Sequence, residues 1–285
     1  LRTVIVTALG KSIATLPLFL KQFSFSTYNN YKLKKKNQMK LQIDRIDQHA
    51  FISFVNKLKL IDSFIYFKIK DNNVISTVYL PQRDAVKHHS VPFGSIFQTQ
   101  EVPNLDKELK IAFFDAGRIV DAFKQFEADA IRCEIEFIEN EQDLVASAFR
   151  IYNDELEITL SCSEPSLGFK DLTSDQVDAI FSKEQSAFQF PIDNHSINRL
   201  KSLFNLEKDE TFDIKSNGNG VEVKGKTFNV VISQSADGDG NATLYKKYLS
   251  LLDKEEYNVH VSPSKVVFDS TESETLLTIS TCQTA

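Results

Sequence analysis

Two segments of this sequence have side chains that could hold a metal ion or transfer protons. His88 and His89 are adjacent, but no cysteine or carboxylate lies at ligand spacing from them, and neighbouring side chains diverge on a strand. We therefore expect no metal site there. The segment Asp237-Gly238-Asp239-Gly240-Asn241 is similar to the start of an EF-hand calcium loop. Because Ala242 and Tyr248 stand where that loop needs glycine and a bidentate glutamate, we predict a turn before a helix.

The remaining nucleophiles and carboxylates do not form a catalytic pattern. Cys133, Cys162 and Cys282 are far apart and include no CxxC pair, which favours a reducing compartment over a zinc site or a disulfide framework. Glu134 and Glu136 alternate along a predicted strand and are interpreted as solvated. The sequence has no P-loop, no GxSxG and no glycine-rich dinucleotide turn. We predict a protein that is not an enzyme and needs no cofactor or metal.

The other residues that could have a functional role are basic side chains on predicted helices, which can bind phosphate groups. Apolar periodicity predicts helices from Asp47 to about Leu60 and from Asp115 to about Glu127, a third after Phe190-Pro191-Ile192, and a fourth from Asn241 or Ala242 through Leu252. On a 3.6-residue wheel, eight basic residues lie opposite or beside the apolar stripes. They are Lys57, Lys59, Arg118, Lys124, Arg199, Lys201, Lys246 and Lys247.

The distribution of charge makes these helices unusual. The first 38 residues hold seven basic and no acidic side chains, and the whole chain has a formal net charge of −6, so residues 39–285 carry −13. Four helices with basic outer faces in an acidic protein indicate a surface that faces a polyanion, and contacts to phosphate would be independent of base sequence. The alternative is ordinary solvated helices, because lysine and arginine are good helix formers.

The basic segment Lys32-Leu33-Lys34-Lys35-Lys36 precedes the only methionine, Met39. Three interpretations of residues 1–38 stay open: a transit peptide, a disordered nucleic-acid-binding arm, or a leader that is not part of the native protein. A periodic pattern opens directly at Met39. We therefore predict that the folded protein begins there and that residues 1–38 are disordered or foreign to it.

From Met39 the predicted elements repeat once. Each half runs strand, helix, strands, helix, strands, and Ile46-Asp47-Gln48-His49 is echoed by Ile192-Asp193-Asn194-His195. Between the halves lies a stretch rich in serine and acidic residues, with one short helix predicted at Asp175 to Phe181. We predict an N-terminal domain at 39–165, a connector at 166–189 and a C-terminal domain at 190–285, in the α+β class.

Three segments carry a resemblance to a known family: LKIAFFDAGRIVDAF (109–123), FPIDNHSINRLKSLF (190–204) and YLSLLDKEEYNVHVSPSKVVFDSTESETLLTIS (248–280). They resemble the DNA sliding clamps, most closely the two-domain processivity clamps of T4-type bacteriophages, with the eukaryotic nuclear-antigen clamps as more distant relatives. The resemblance covers most of 39–285 but includes no invariant motif. Residues 1–38 have no counterpart, and residues 81–104 and the long connector fit the pattern poorly.

The resemblance implies two clamp-type domains, each with two helices on a curved antiparallel sheet, and a homotrimeric ring of six domains. Duplex DNA would thread a hole lined by the eight basic residues. The implied partners are a DNA polymerase tethered for processive replication, an ATP-driven clamp loader and other copies of the chain. No membrane contact is implied, and the location would be the cytoplasm, that of the host cell if the protein is viral.

A docking site for partner tails beside the connector is also implied. The apolar residues available there are Leu167, Phe169, Val177, Ile180 and Phe181, although packing of the connector onto its own domains would use the same residues. Two other functions stay open. One is a β-rich viral structural or assembly protein, which would leave the basic helices unexplained, and the other is a monomeric clamp-like polymerase accessory factor.

Overall fold

The computed structural model describes residues 38–99, 105–127, 130–140, 143–167 and 171–282 of the 285-residue chain. These residues belong to one compact unit, Asn37–Ala285. The leader predicted for residues 1–38 lies outside the described residues except for Gln38, where the first strand begins. Within the described part, no helix is long and apolar enough to cross a membrane.

The first half contains ten strands and three helices among the described residues. The strands are β1 (Gln38–Ile43), β2 (Arg45–Ile46), β3 (Ile65–Lys70), β4 (Asn73–Tyr79), β5 (Ala85–Pro92), β6 (Phe97–Gln98), β7 (Leu109–Phe113), β8 (Arg132–Glu139), β9 (Leu144–Tyr152) and β10 (Glu157–Ser161). The helices are α1 (Gln48–Lys59), α2 (Phe93–Ile96) and α3 (Ala116–Phe123). A 3₁₀ helix at Pro165–Leu167 and helix α4 (Ser174–Phe181) follow in the connector, close to the helix predicted there.

The second half opens like the first. Its strands are β11 (Phe188–Ile192), β12 (Thr211–Asn217), β13 (Val221–Lys224), β14 (Asn229–Ser233), β15 (Asp237–Tyr245), β16 (Tyr257–Val261), β17 (Lys265–Ser270) and β18 (Glu274–Ser280). Helix α5 (Asn194–Asn205) follows β11, and a 3₁₀ helix at Lys246–Leu251 follows β15. The first hairpin of each half turns through left-handed backbone, at Asp71 and Asn72 in one and at Gly218 in the other, a conformation that aspartate, asparagine and glycine tolerate best.

One sheet runs through both halves. Among the described residues it has 16 strands in the order β1-β8-β9-β7-β3-β4-β5-β18-β17-β16-β11-β15-β12-β13-β14, with β10 beside β9. The halves join where β5 pairs antiparallel with β18, from Ala85 opposite Ile279 to Ser90 opposite Glu274. The sheet is mixed, because β7 and β9 pair in parallel over two residues. The predicted α+β class and two-domain architecture are confirmed.

Aspartate side chains begin the three longer helices that follow strands. Asp47 accepts a hydrogen bond from the backbone N–H of Ala50, Asp115 from those of Gly117 and Arg118, and Asp193 from that of Ser196. Such caps satisfy N–H groups that have no partner within the helix. The predicted apolar stripe of α1 is buried, and the Phe51 ring packs against four other phenylalanine rings: Phe67, Phe97, Phe123 and Phe149. This packing fixes α1 on the sheet.

The predicted fourth helix is wrong at its start. The residues from Asp237 to Tyr245 form β15, and only Lys246–Leu251 is helical, as a 3₁₀ turn. β15 pairs with β12 from Asp239 to Tyr245 and with β11 at Asp237 and Gly238, and this tertiary pairing outweighs local helix propensity. Gly238 has φ +94° and passes so close to β11 that a Cβ atom would lie 2.2 Å from the carbonyl oxygen of Ala187. The predicted turn over Asp237–Asn241 is therefore also wrong.

One other boundary differs from prediction. The second helix ends at Phe123 rather than near Glu127, because the N–H groups of Gln125 and Phe126 bond carbonyls only three residues back. The segment 81–104, which fitted the family pattern poorly, contains β5, α2 and β6 in its described part. Pro92 ends β5 and stands just before α2, where a missing N–H costs no hydrogen bond.

Candidate nucleic-acid interface

Helices from both halves lie next to one another. α1 packs beside α3, and α5 packs beside the 3₁₀ helix. A groove of about 610 Å³ joins the two pairs and is lined by Ser53 and Asn56 of α1, by Lys201 of α5 and by Ser250 and residues 252–255 of the second half. Seven of the eight predicted basic residues lie on these helices, and Lys124 follows directly after α3. We call these helices, together with Lys124, the helical face.

Three of the eight have exposed side chains that are in no ion pair with the residues that the structure describes. They are Lys59, Arg118 and Arg199. Lys59 Nζ lies 3.5 Å from the point where a Cβ atom on Gly117 would be, so this lysine reaches across from α1 to the start of α3. The Lys59 ammonium group therefore lies beside Gly117, the residue that precedes Arg118 in α3.

Two more of the eight are exposed but have neighbours. Lys124 caps the end of α3 and lies 3.5 Å from Asp121, in a pair so exposed that it contributes little to stability. Lys247 Nζ lies over the rings of Tyr248 and Tyr245, at 4.7 and 5.3 Å from their centroids. Its charge is attracted by both rings and remains accessible to solvent.

The other three serve internal contacts. Lys57 Nζ lies 2.5 Å from Glu255 Oε1, with both side chains less than one-sixth exposed. Lys201 Nζ donates to the carbonyl of Leu252 at 3.0 Å, and burial lowers its pKa. Lys246 Nζ donates to the carbonyl of Glu207 at 2.8 Å. The helical wheel could not reveal these acceptors, because they come from distant parts of the chain.

Beneath the groove, a buried polar cluster connects the two halves. Lys87 of β5 forms an ion pair with Asp253 at 2.7 Å, and the His89 ring bonds the hydroxyl of Thr275 at 2.8 Å. Burial lowers the pKa of Lys87 and raises that of Asp253. Burial, with Lys57 nearby, lowers the pKa of His89 to about 3. His89 is therefore neutral near pH 7 and acts as a hydrogen-bonding group.

One basic residue of the groove was missed by the sequence reasoning. Lys254 is exposed, lines the groove with Lys57 and Lys201 and lies between the 3₁₀ helix and β16. A search restricted to helix faces passes over it, because it belongs to no helix. The only signal in the sequence was its position shortly after the predicted fourth helix.

The residues of the predicted connector pocket are not brought into one cavity. Leu167 is 68% exposed, and Phe169 lies outside the described residues. Ile180 lines a groove of about 540 Å³ with Tyr79 of β4, with Arg83 of the following loop and with residues of β5, β17 and β18. Val177 lines a separate groove of about 420 Å³ over β3 and β4. Phe181 is buried against Val86 and Val267, as the alternative of local packing requires.

The two adjacent histidines have hydroxyl groups as partners. His88 bonds the hydroxyl of Thr77 at 2.8 Å, whereas His89 bonds Thr275, so the predicted divergence of the two rings is confirmed. In the described ranges, no three histidine, cysteine or acidic side chains form a group that could hold a metal ion. Burial raises the pKa of the Cys162 thiol to about 12, which disfavours its reactive thiolate form.

Comparison with known proteins finds structures with a similar fold but no protein with a matching sequence. No family model matches the chain, and no curated protein matches its sequence. Several solved structures match its fold. PCNA from A. fulgidus, bound to the C-terminal region of FEN-1, aligns with a TM-score of 0.60 at 13% identity over 86% of this chain and 99% of its own. PCNA from Thermococcus kodakaraensis aligns with a TM-score of 0.60 at 12% identity, over 86% and 100%.

Two other PCNA structures align with similar TM-scores and equally low sequence identity. PCNA from Entamoeba histolytica aligns with a TM-score of 0.59 at 12% identity, over 85% of this chain and 97% of its own. The PCNA2–PCNA3 complex of Sulfolobus tokodaii aligns with a TM-score of 0.57 at 12% identity, over 85% and 99%. The described chain therefore has the fold of PCNA-type sliding clamps over nearly their full length.

Proposed function

We propose that this chain is the subunit of a ring-shaped DNA sliding clamp that acts as a processivity factor for a replicative polymerase. The observation that carries the proposal is the helical face: on a clamp fold, helices of both halves present exposed lysines and arginines, while residues 39–285 as a whole are acidic. Such a surface attracts the phosphate backbone of duplex DNA without reading its sequence. The role is that of a scaffold without a catalytic step.

Within the helical face, the basic residues have two roles in this proposal. Lys59, Arg118, Lys124, Arg199, Lys247 and the newly found Lys254 contact phosphate directly, because their charged groups reach solvent. Lys57, Lys201 and Lys246 line the same face and contribute to its potential, but their ammonium groups are held by internal acceptors. Enclosure by a ring supplies retention, so each phosphate contact can stay weak enough for sliding.

Self-assembly into a trimer would close the ring through two free sheet edges. In the described part of the chain, β10 pairs only with β9 and β14 only with β13. Each edge strand turns one apolar side inward, with Leu160 and Val230 buried. A head-to-tail pairing of β10 with β14 of the next copy would continue the sheet and its core-facing side, and repetition of such a heterologous contact gives a closed ring.

Partner proteins would dock beside the connector. We assign their binding to the groove of Tyr79, Leu172 and Ile180, together with the exposed Leu167. The structure of A. fulgidus PCNA with the C-terminal region of FEN-1 supports partner binding by a protein of this fold. A polymerase and an ATP-driven loader are the proposed partners. The resemblance of segments 109–123, 190–204 and 248–280 to the T4-type phage clamps supports a viral origin and action in the host cytoplasm.

The first test is the mass in solution. A ring of three copies predicts a mass about three times the 32.4 kDa of the chain by light scattering. A monomer at micromolar concentration would contradict the ring and favour an accessory factor.

The second test measures encirclement without a loader. The protein is incubated with linear duplex DNA that has one end blocked by streptavidin, and the other end is then blocked. We expect the protein to stay on the doubly blocked DNA at a salt concentration that abolishes ordinary phosphate binding. It should be released when a restriction enzyme cuts the duplex. Equal loss of protein from open and blocked DNA would contradict encirclement.

A further inference from the structure

Helix α4 of the connector is attached to the sheet by a small apolar cluster of its own. Phe181 is buried against Val86 of β5 and Val267 of β17, and Val177 and Ile180 are partly buried beside it. This cluster is separate from the large core that unites the rest of the described chain. A short helix that buries few apolar side chains opens at a low free energy relative to core strands.

Polar contacts hold the two ends of this segment. Lys265 Nζ donates to the carbonyls of Ala179 and Ile180, at 2.9 and 2.7 Å, at the end of α4. Before the helix, Asp171 accepts a hydrogen bond from the Tyr66 hydroxyl at 3.2 Å and lies 2.9 Å from Lys110. Asp171 is exposed and Lys265 and Lys110 are partly exposed, whereas Tyr66 is buried. The contacts of the exposed groups can be exchanged for water or for equivalent groups of another molecule at modest cost.

α4 also separates two grooves. The groove of about 540 Å³ with Ile180 lies on one side, and that of about 420 Å³ with Val177 lies on the other, with Leu172 lining both. Beneath the helix, Tyr79, Val86, Val267 and Leu276 form an apolar strip across β4, β5, β17 and β18. Departure of α4 would join the grooves into one docking surface at the seam between the halves.

We propose that α4 is a displaceable lid that occupies, within its own chain, the docking surface for a partner's helix. The occupant that the surface fits is a short amphipathic helix with apolar residues at positions i, i+3 and i+4, because α4 itself fills it with Val177, Ile180 and Phe181. This regulation rests on the proposed function for the identity of the partner. The lid's opening does not depend on ring assembly or on DNA.

Amide hydrogen exchange of the full chain tests the opening. The amides of α4 should exchange at least about tenfold faster than those of β18. Phe181→Ala and Lys265→Met should each accelerate the exchange of the α4 amides further and leave the exchange of the β18 amides unchanged. The control Asp178→Ala, on the exposed face of α4, should exchange at the wild-type rates. Equal exchange of α4 and β18 in the wild type, or equal acceleration of both in the variants, would make α4 an integral part of the fold and overturn the lid.

A peptide test addresses the docking surface. The probe is a fluorescent peptide with the sequence of residues 171–185, titrated into each full-length variant. In the wild type the tethered helix competes at a high effective concentration, so we expect binding to Phe181→Ala at least about tenfold tighter than to the wild type. Adding Tyr79→Asp to that variant should abolish binding. If the α4 amides of Phe181→Ala exchange faster than those of the wild type but this variant binds no peptide, the docking surface is refuted. The DNA-retention experiment tests the ring independently of this result.

Discussion

The Nζ atom of Lys57 lies 2.5 Å from Oε1 of Glu255, and this ion pair joins the first helix of one half to the segment before β16 of the other. Lys57 also donates to the hydroxyls of Ser273 and Thr275 at 3.0 and 3.4 Å. Glu255 accepts hydrogen bonds from Ser270 and Ser273 through its second oxygen. A lysine that the sequence assigned to DNA is therefore part of the junction between the halves.

Removing one member of this pair should destabilise the protein. In Glu255→Gln, Lys57 keeps its charge in a largely buried site without a counterion, and we expect the free energy of unfolding to fall by about 3 kcal/mol. Lys57→Met should have a similar effect through the uncompensated Glu255. The double variant should lose clearly less than the sum of the two single changes. Urea denaturation of all four proteins measures this coupling, and additive losses would show that the pair is not coupled.

Stability should also depend on pH through Glu255. Burial alone raises the pKa of this carboxyl, but hydrogen bonds from Lys57, Ser270 and Ser273 outweigh burial and leave the pKa below the ordinary 4.5. A lowered pKa in the folded state gives stability that is present above the unfolded-state pKa and is lost as the pH falls through the folded-state value. Denaturation between about pH 6 and pH 3 should show a smaller loss in Glu255→Gln than in the wild type. Identical pH profiles would exclude this contribution.

Reversing the exposed charges of the helical face should weaken DNA binding without harming the fold. In the triple variant Lys59→Glu, Arg118→Glu and Arg199→Glu, the slope of log affinity against log salt should fall in magnitude by about 0.9 per lost contact. The matched control is Lys215→Glu, an exposed lysine on β12, which should keep the wild-type slope. Equal slopes in the triple variant and the wild type would remove these residues from the DNA-facing set.

Lys57 and Lys246 are poor sites for that charge-reversal test. A glutamate at 57 would face Glu255, and one at 246 would face the carbonyl of Glu207 and the carboxylate of Glu210. We expect both variants to lose thermal stability before any effect on DNA is measurable, because like charges would meet in partly buried sites. Thermal unfolding followed by circular dichroism checks this, and an unchanged midpoint would return both lysines to the set of direct contacts.

An edge-strand substitution tests assembly. Val231 on β14 is 48% exposed in the single chain, so Val231→Asp should fold, yet place an unpaired charge in the proposed contact with β10 and shift the trimer to monomer. Val231→Thr, which keeps the shape of the side chain, should remain trimeric. Light scattering across a concentration series separates the two. A trimer that survives Val231→Asp unchanged would move the interface away from β14.

The amino-acid sequence by itself determined those features that depend on neighbouring residues. The caps Asp47 and Asp115 and the buried stripe Phe51, Phe54, Val55 and Leu58 follow from the preferences of helix ends and the 3.6-residue period. The Asp71-Asn72 hairpin follows from the tolerance of these residues for left-handed backbone. The charge contrast between the predicted helices and the rest of residues 39–285 follows from the net charge together with the 3.6-residue period.

Only the tertiary structure decided which basic residues are available to a ligand and where the connector lies. Lys57, Lys59, Lys201 and Arg199 follow the same wheel rule, yet two are held by Glu255 and the carbonyl of Leu252 and two are exposed. β15 is a strand because β12 and β11 flank it. These outcomes depend on partners tens to hundreds of positions away, and a local pattern contains no information about the groups that long-range pairing brings within bonding distance.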